Sequence, residues 1–558
     1  MIRARMPLAG LLAAVLAAAA LGAFHPALAG QSVADQVDKV FAAWNRKDSP
    51  GCSVGVAQGG VPVLLRGYGM ANLEYDVPIT ADTIFEAGSV SKQFTAGAVH
   101  LLALDGRLSL DDPASRYLPE LPEAAKGIRL RHLLTHTSGL RSQWPLLTLA
   151  GRPPGEAVHS IPEILSLVSR QHRLNFEPGD DFLYNNTAFT LLSVVVSRVS
   201  GQSFQQFCDA RLFKPIGMTS TRWRDDYTQV VRNRATAYRQ DGDGRFHTAM
   251  SFTNVVGNGG LLTTVKDLLA WNQNLDTGEV GGRQWVEALH TRGRLNDGFV
   301  TDYAQGLYVR SFRGVREVSH SGSTAGYRAF LARYPEQRLS VAVLCNLAGT
   351  RPDRLGREVA GLYLGPAARE PPSPPAAEVP PDTLHARAGL YRDPVTDEVL
   401  RFTVFAGTLR LGVTDLRALS PQRFLAPDGP EYEFATDGSG ATLVRLLAAG
   451  ARPRTYVAVP AARPTPADLA AFAGRYFSDE LETFYTVAVE KDGLVVRRQW
   501  ERWVLQPAYA DAFEMDGDRL VRFTRETGGH VDGFDVFADR IRHVHFERVG
   551  VRPLVRRP

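Results

Sequence analysis

Apolar positions change their period several times along the chain, and each change marks an element. A helix-like stretch at residues 33–44 leads into apolar runs at 51–57 and 62–67, separated by Gly59-Gly60, which predict an antiparallel strand pair. The period then becomes helical: Phe94, Ala98, Leu101 and Leu102 share a face until Gly106 ends the element. Phe189, Leu192, Val196 and Val199 repeat it ahead of Gly201, as does the stretch 265–275. Strand-like alternation returns at 303–313 and 315–319, and again at 327–333 and 339–346, which form a hairpin across Pro335-Glu336-Gln337. A final helical stretch, 354–364, is expected to pack on that sheet. An antiparallel sheet therefore opens and closes one unit, with helices flanking it: an α+β fold over residues 30–365.

Beyond Gly365 the pattern is different. Residues 366–382 are rich in proline and read as an extended linker. After it, Ala388-Gly389-Leu390-Tyr391 is echoed by Ala473-Gly474-Arg475-Tyr476, a repeat of roughly 85 residues. Alternating strands follow each copy, at 399–411 and 484–497, with turns at Asp437-Gly438 and Asp516-Gly517-Asp518. The expectation is an all-β region of one or two small barrels, with repeats at 383–465 and 466–558.

Composition narrows the choice of class. With 558 residues, 44% hydrophobic and 22% charged, the chain is an ordinary globular protein too long for one core. Of the net charge of +4, Arg3 and Arg5 account for two, leaving +2 on the rest, so there is no electrostatic case for nucleic acid. Residues 1–29 carry those arginines, an apolar Ala/Leu run and Ala27-Leu28-Ala29, the three parts of a secretory signal cleaved after Ala29. Periplasm or medium is the expected destination, with no stable membrane insertion after cleavage. The three cysteines, Cys52, Cys208 and Cys345, lie in apolar settings and are expected to be buried small hydrophobes rather than a disulfide framework or a zinc site.

The candidate chemistry begins at Gly88-Ser89-Val90-Ser91-Lys92, where a turn enters the Phe94 helix. Ser89 and Lys92 are three apart, so on a helix an amine can reach a hydroxyl and take its proton. Tyr184 and Asn186 stand at a second loop-to-helix junction, and His320-Ser321-Gly322-Ser323 follows a strand. His136, in Thr135-His136-Thr137-Ser138-Gly139, is assigned to its own turn. Gly257-Asn258-Gly259-Gly260 lacks the lysine of a phosphate loop and reads as close packing beside a pocket. No aspartate-histidine pair and no H-E-x-x-H are evident, and His543-Val544-His545 lacks a third ligand; neither a metal nor a cofactor is expected.

Ser89-x-x-Lys92, Tyr184-x-Asn186 and His320-Ser321-Gly322, in this order, together with Leu133-Leu134-Thr135-His136-Thr137-Ser138-Gly139-Leu140, resemble the penicillin-recognising serine hydrolases. The branch is the one holding class C β-lactamases, DD-peptidases, D-aminopeptidases and esterases, and the C-terminal repeats resemble the lipocalin-like extension of some D-aminopeptidases. The resemblance implies Ser89 as acylated nucleophile, Lys92 as its proton partner, Tyr184 as proton shuttle and Asn186 as orienting group. It places the oxyanion between the backbone N–H groups of Ser89 and Ser323, and substrate along His320, Ser321 and Gly322. Small peptides, esters or β-lactams are the expected substrates, D-amino-acid peptides foremost; β-lactamase activity or a non-catalytic cell-wall binder are the alternatives. His320 replaces a lysine at the third motif, so carboxylate recognition is expected to depend on its titration, with acidic substrates gaining as pH falls. A barrel loop reaching Ser89 and a mere packing module are both open for the C-terminal repeats.

Overall fold

The computed structural model describes residues 32–369, 374–427, 429–491, 493–517 and 519–550. The expected signal with its cleavage after Ala29, and residues 370–373 of the linker, lie outside them. Six strands form one antiparallel sheet: β1 (Cys52–Gln58), β2 (Val61–Tyr68), β3 (Tyr308–Phe312), β4 (Val315–Thr324), β5 (Tyr327–Tyr334) and β6 (Leu339–Cys345), in the order β3-β4-β5-β6-β1-β2. The opening and closing segments thus meet inside the sheet, where Val54 faces Val343 and Val56 faces Val341. Covered on both faces, the inner strands β1, β5 and β6 are buried almost throughout, whereas the edge strands β2 and β3 are largely exposed.

On one face, helices α1 (Val33–Val40) and α5 (Pro352–Leu364) bury Val37, Leu355 and Val359 against the sheet. On the other lie α2 (Lys92–Leu104), α3 (Asn186–Ser200) and α4 (Val265–Thr277), and α4 comes so close that a Cβ on Gly55 would meet Leu269 at 3.0 Å. The strand expected from 303 begins only at Tyr308, because Gly306 turns the chain with φ 77°. In compensation β4 runs on through Thr324 and carries the whole His320-Ser321-Gly322 motif on a strand.

The cysteine expectation is corrected here. Cys52 stands opposite Cys345 in the β1–β6 register, and the two form a disulfide across 293 positions. No sequence spacing signals such a pair; only the register brings the two Cβ atoms together. Cys208 remains free and buried.

The C-terminal region is two barrels. Two nine-stranded antiparallel sheets run from Gly389–Arg392 to Arg454–Val459 and from Gly474–Ser478 to Ile541–Val549, and their strand orders correspond one to one. In each, the first strand pairs with both the second and the last, so the sheet curls almost closed. The echoed tyrosines do the same work: Tyr391 donates its hydroxyl to the Arg387 carbonyl at 3.1 Å and Tyr476 to that of Phe472 at 2.7 Å. The second barrel ends in a hairpin, β7 (Val531–Ala538) and β8 (Ile541–Val549), whose tip is Asp539-Arg540.

Candidate active site

Ser89 sits on a single 3-10 turn, Gly88–Ser91, at the entrance to α2. Gly88 has φ 52°, and a Cβ on it would stand 2.7 Å from the Ser323 backbone nitrogen; glycine alone permits this turn to press on β4. Gly322 answers from the strand, since its Cβ would lie 2.0 Å from the Ala87 carbonyl oxygen and 3.0 Å from the Ser89 nitrogen. Two glycines therefore let the backbone at Ser89 and the backbone at Ser323 lie directly against each other beside the cavity.

Lys92 opens α2 and is wholly buried behind Ser89. Its Nζ lies 3.1 Å from Ser89 Oγ, 2.9 Å from Asn186 Oδ1 and 2.7 Å from the Asn258 carbonyl oxygen. Burial drives its pKa well below the ordinary lysine value, and the charge of Arg540 adds to the effect. A neutral amine has two N–H groups and one lone pair. Because the amide oxygens of Asn186 and Asn258 only accept, they take the N–H groups, and the lone pair is left for the Ser89 hydroxyl. The nearby carboxylate Glu86 is no competing base: Arg224 holds it at 3.1 Å and Arg234 at 3.5 Å.

Asn185 caps α3 by accepting from the Ala188 N–H at 2.8 Å, which directs Asn186 inward from the first turn and leaves Tyr184 just before it. Burial raises the Tyr184 pKa far above that of a free phenol, against the lesser pull of the facing Ser89 hydroxyl. Tyr184 Oη is buried and makes no hydrogen bond in the structure, so its proton is uncommitted. His136 accepts from the Asn185 N–H at 3.1 Å, and its ring packs 4.3 Å from that of Tyr184. It therefore supports the Tyr184-Asn186 corner, and burial keeps it neutral.

His320 corrects a second expectation. Its Nδ1 lies 2.5 Å from the Ser321 carbonyl, which can only accept, so that nitrogen carries the proton and Nε2 accepts from the Tyr303 hydroxyl at 3.2 Å. Burial, with Lys92 nearby, lowers its pKa to about 3. The imidazole is held neutral near pH 7, so its titration does not tune carboxylate binding there.

A cavity of about 1220 Å³ opens on Ser89, Tyr184, Asn186, His320, Ser321 and Ser323. The structure thus brings together all the residues that the sequence proposed, with Lys92 one layer behind. It also adds Tyr303, the Asn258 carbonyl and, from the second barrel, Arg540. The glycines around Asn258 hinted at a loop beside a pocket; Arg540 has no sequence signal. Its hairpin is pinned by Arg141, which donates to the carbonyls of Arg542 at 2.9 Å and His543 at 2.6 Å, and by Asn175, which donates to the Arg540 carbonyl at 3.1 Å. His543 and His545 both turn to Asp535, at 3.8 and 2.8 Å. Among the described residues no cluster has the makings of a metal site.

The model of the family described as Beta-lactamase matches residues 33–364. A D-aminopeptidase of Gluconobacter oxydans is 26% identical over 529 residues, covering 90% of this chain and 97% of that protein. A D-aminopeptidase of Brucella anthropi is 30% identical over 300 residues, 54% of this chain and 56% of its own. Among solved structures, the octameric penicillin-binding protein homologue from Pyrococcus abyssi superposes with a TM-score of 0.54 at 22% identity, over 84% of this chain and 98% of that one, a likeness of fold.

Proposed function

Since this chain belongs to the beta-lactamase family and is a serine hydrolase, we propose that it hydrolyses amide or ester bonds of small D-amino-acid-containing substrates through an acyl-enzyme on Ser89. The observation that carries the reading is the placement of Lys92 Nζ 3.1 Å from Ser89 Oγ, with its other two contacts on acceptor-only oxygens, so that a deprotonated amine turns its lone pair to the hydroxyl. Ser89 attacks the scissile carbonyl as Lys92 takes its proton, and the N–H groups of Ser89 and Ser323 hold the oxyanion, each worth about 10²–10³ in rate. Tyr184, kept protonated by burial, gives its proton to the leaving group and is recharged from Lys92; water then reverses the sequence to free the acid. Asn186 and the Asn258 carbonyl hold Lys92 in line throughout.

The D-aminopeptidase names of the relatives support the substrate class. Export is part of the same proposal: the Cys52–Cys345 disulfide suits an oxidising compartment and supports the signal read at residues 1–29. The test is labelling by a fluorophosphonate or fluorescent penicillin, with the adduct located by peptide mass, beside turnover of paired D- and L-alanine amides. The adduct is expected on Ser89, and Ser89→Ala should lower kcat by about 10⁴-fold or more with an unchanged melting temperature. An adduct on another residue, or a Ser89→Ala variant with wild-type turnover, overturns the reading.

A further inference from the structure

Resting on that reading, the geometry points to Arg540 as the group that seats the free α-carboxylate of the leaving amino acid, so that the enzyme prefers peptides whose leaving residue ends in a carboxylate over the matching amides. Among the described residues, two cations rest against the Tyr184 ring, Lys92 and Arg540. His320, at the head of the third motif, is neutral and has both ring nitrogens engaged, with Ser321 and Tyr303. Lys92 is buried behind Ser89, with all three of its contacts directed at the catalytic groups. Elsewhere on the cavity wall, Arg328 spends Nη1 on the carbonyls of Ala325 and Tyr327, Arg351 pairs with Asp353 at 3.4 Å, and Arg239 is exposed on the strand Tyr238–Gln240, away from the Tyr184 ring that Arg540 touches.

Arg540 is differently placed. Its guanidinium lies 5.1 Å from the centre of the Tyr184 ring, on the same cavity wall as Ser89 and Ser321. Tyr184 is the group proposed to protonate the leaving nitrogen, and in a peptide the α-carboxylate is only two bonds from that nitrogen. A cation resting against Tyr184 is therefore where that carboxylate arrives. Arg540 holds one exposed partner, Asp539, through Nε at 3.0 Å, and its terminal nitrogens make no hydrogen bond among the described residues. The fork that grips a carboxylate is thus free, and an exposed pair of this kind yields readily to a better one. The position is also prepared in advance. The Arg540 backbone has φ 62°, and its carbonyl accepts from the Ser142 N–H at 3.3 Å and from Asn175 Nδ2 at 3.1 Å, so the tip is fixed before substrate enters.

The test compares kcat/KM for D-alanyl-D-alanine with that for D-alanyl-D-alaninamide in the wild type and in Arg540→Gln, Arg540→Lys and Asp539→Asn. The wild type should favour the acid. Arg540→Gln should lower the acid-to-amide ratio by about 10- to 100-fold, the loss of a charge-assisted bidentate contact. Arg540→Lys should restore part of the ratio, and Asp539→Asn should raise it. A ratio that stays the same in Arg540→Gln, while Ser89 is still labelled and both substrates are still cleaved, overturns the role of Arg540 and leaves the hydrolase intact. If neither substrate is cleaved in a Ser89-dependent manner by the wild type, the underlying reading fails, and this inference with it.

Discussion

The two barrels share a strand order and a tyrosine bonded four residues back, yet they stand in different relations to the catalytic domain. The first has its own core around Phe402, Phe424, Phe434 and Tyr456 and meets the catalytic domain through contacts such as the exposed Arg452–Asp297 pair, 2.9 Å apart. In the second, Phe472, Tyr485 and Phe534 belong to one continuous core with the catalytic helices. The register makes the divergence explicit. Leu400 stands opposite Tyr391 in the first barrel, and Tyr485 stands opposite Tyr476 in the second. Tyr485 donates its hydroxyl to the Leu149 carbonyl of the catalytic domain at 3.0 Å; a leucine at the same place cannot. Strand pairing alone makes a barrel, whereas a few polar side chains on its rim recruit it to a site.

Three measurements probe this contrast, and the largest effect is expected at Arg141. It is fully buried and bonded to Glu480 of the second barrel at 2.8 Å, where Glu480 is itself only 3% exposed. Arg141→Ala would leave that carboxylate buried without its counter-charge, a cost of about 3–5 kcal/mol. It would also unpin the hairpin that bears Arg540, so denaturant unfolding should show the full loss together with a drop in acid-to-amide preference. A change under about 1 kcal/mol would mean that the second barrel is as loosely attached as the first.

The next effect is acid lability confined to the catalytic half. Burial lowers the pKa of His100 and His132 to about 4 and of His290 and His320 to about 3. These groups bind protons more readily unfolded than folded. Their contribution is therefore fully present above pH 6.5 and is lost as pH falls through 6.5 toward 4, on the order of several kcal/mol together. In the second barrel His545 has the opposite sign: its hydrogen bond to Asp535 raises its pKa, so its contribution is present below the unfolded pKa and lost as pH rises through the folded one. Rate-corrected hydrogen exchange between pH 7 and 4.5 should show α2 and residues 290–320 loosening before β7 and β8. The reverse order would refute the assignment.

The smallest effect is expected where the first barrel touches the catalytic domain. Arg452→Ala removes a pair whose side chains are 51% and 42% exposed, and its cost should lie within about 0–1 kcal/mol by thermal denaturation. A larger loss would erase the distinction between the two barrels.

Much of this was written locally in the chain. Ser89 and Lys92 are three apart on one helical turn, Gly59-Gly60 turns a hairpin, and the echo of Ala388-Gly389 at Ala473-Gly474 announces the second barrel, because each signal depends only on near neighbours and backbone freedom. The order of the three motifs was legible for the same reason, and the fold brings their side chains around one cavity. Other features belong to the tertiary structure alone. Cys52 meets Cys345 only when β1 and β6 align, Lys92 finds the Asn258 carbonyl only when two loops converge, and Arg540 reaches Tyr184 only when a distant hairpin is docked by Arg141. The neutral state of His320 likewise depends on its surroundings, because proton affinity is set by the loss of water around the ring and by the charges packed beside it. Residue type and spacing determined which groups were available for chemistry; register and desolvation, which involve the whole fold at once, decided how they are charged and which of them meet.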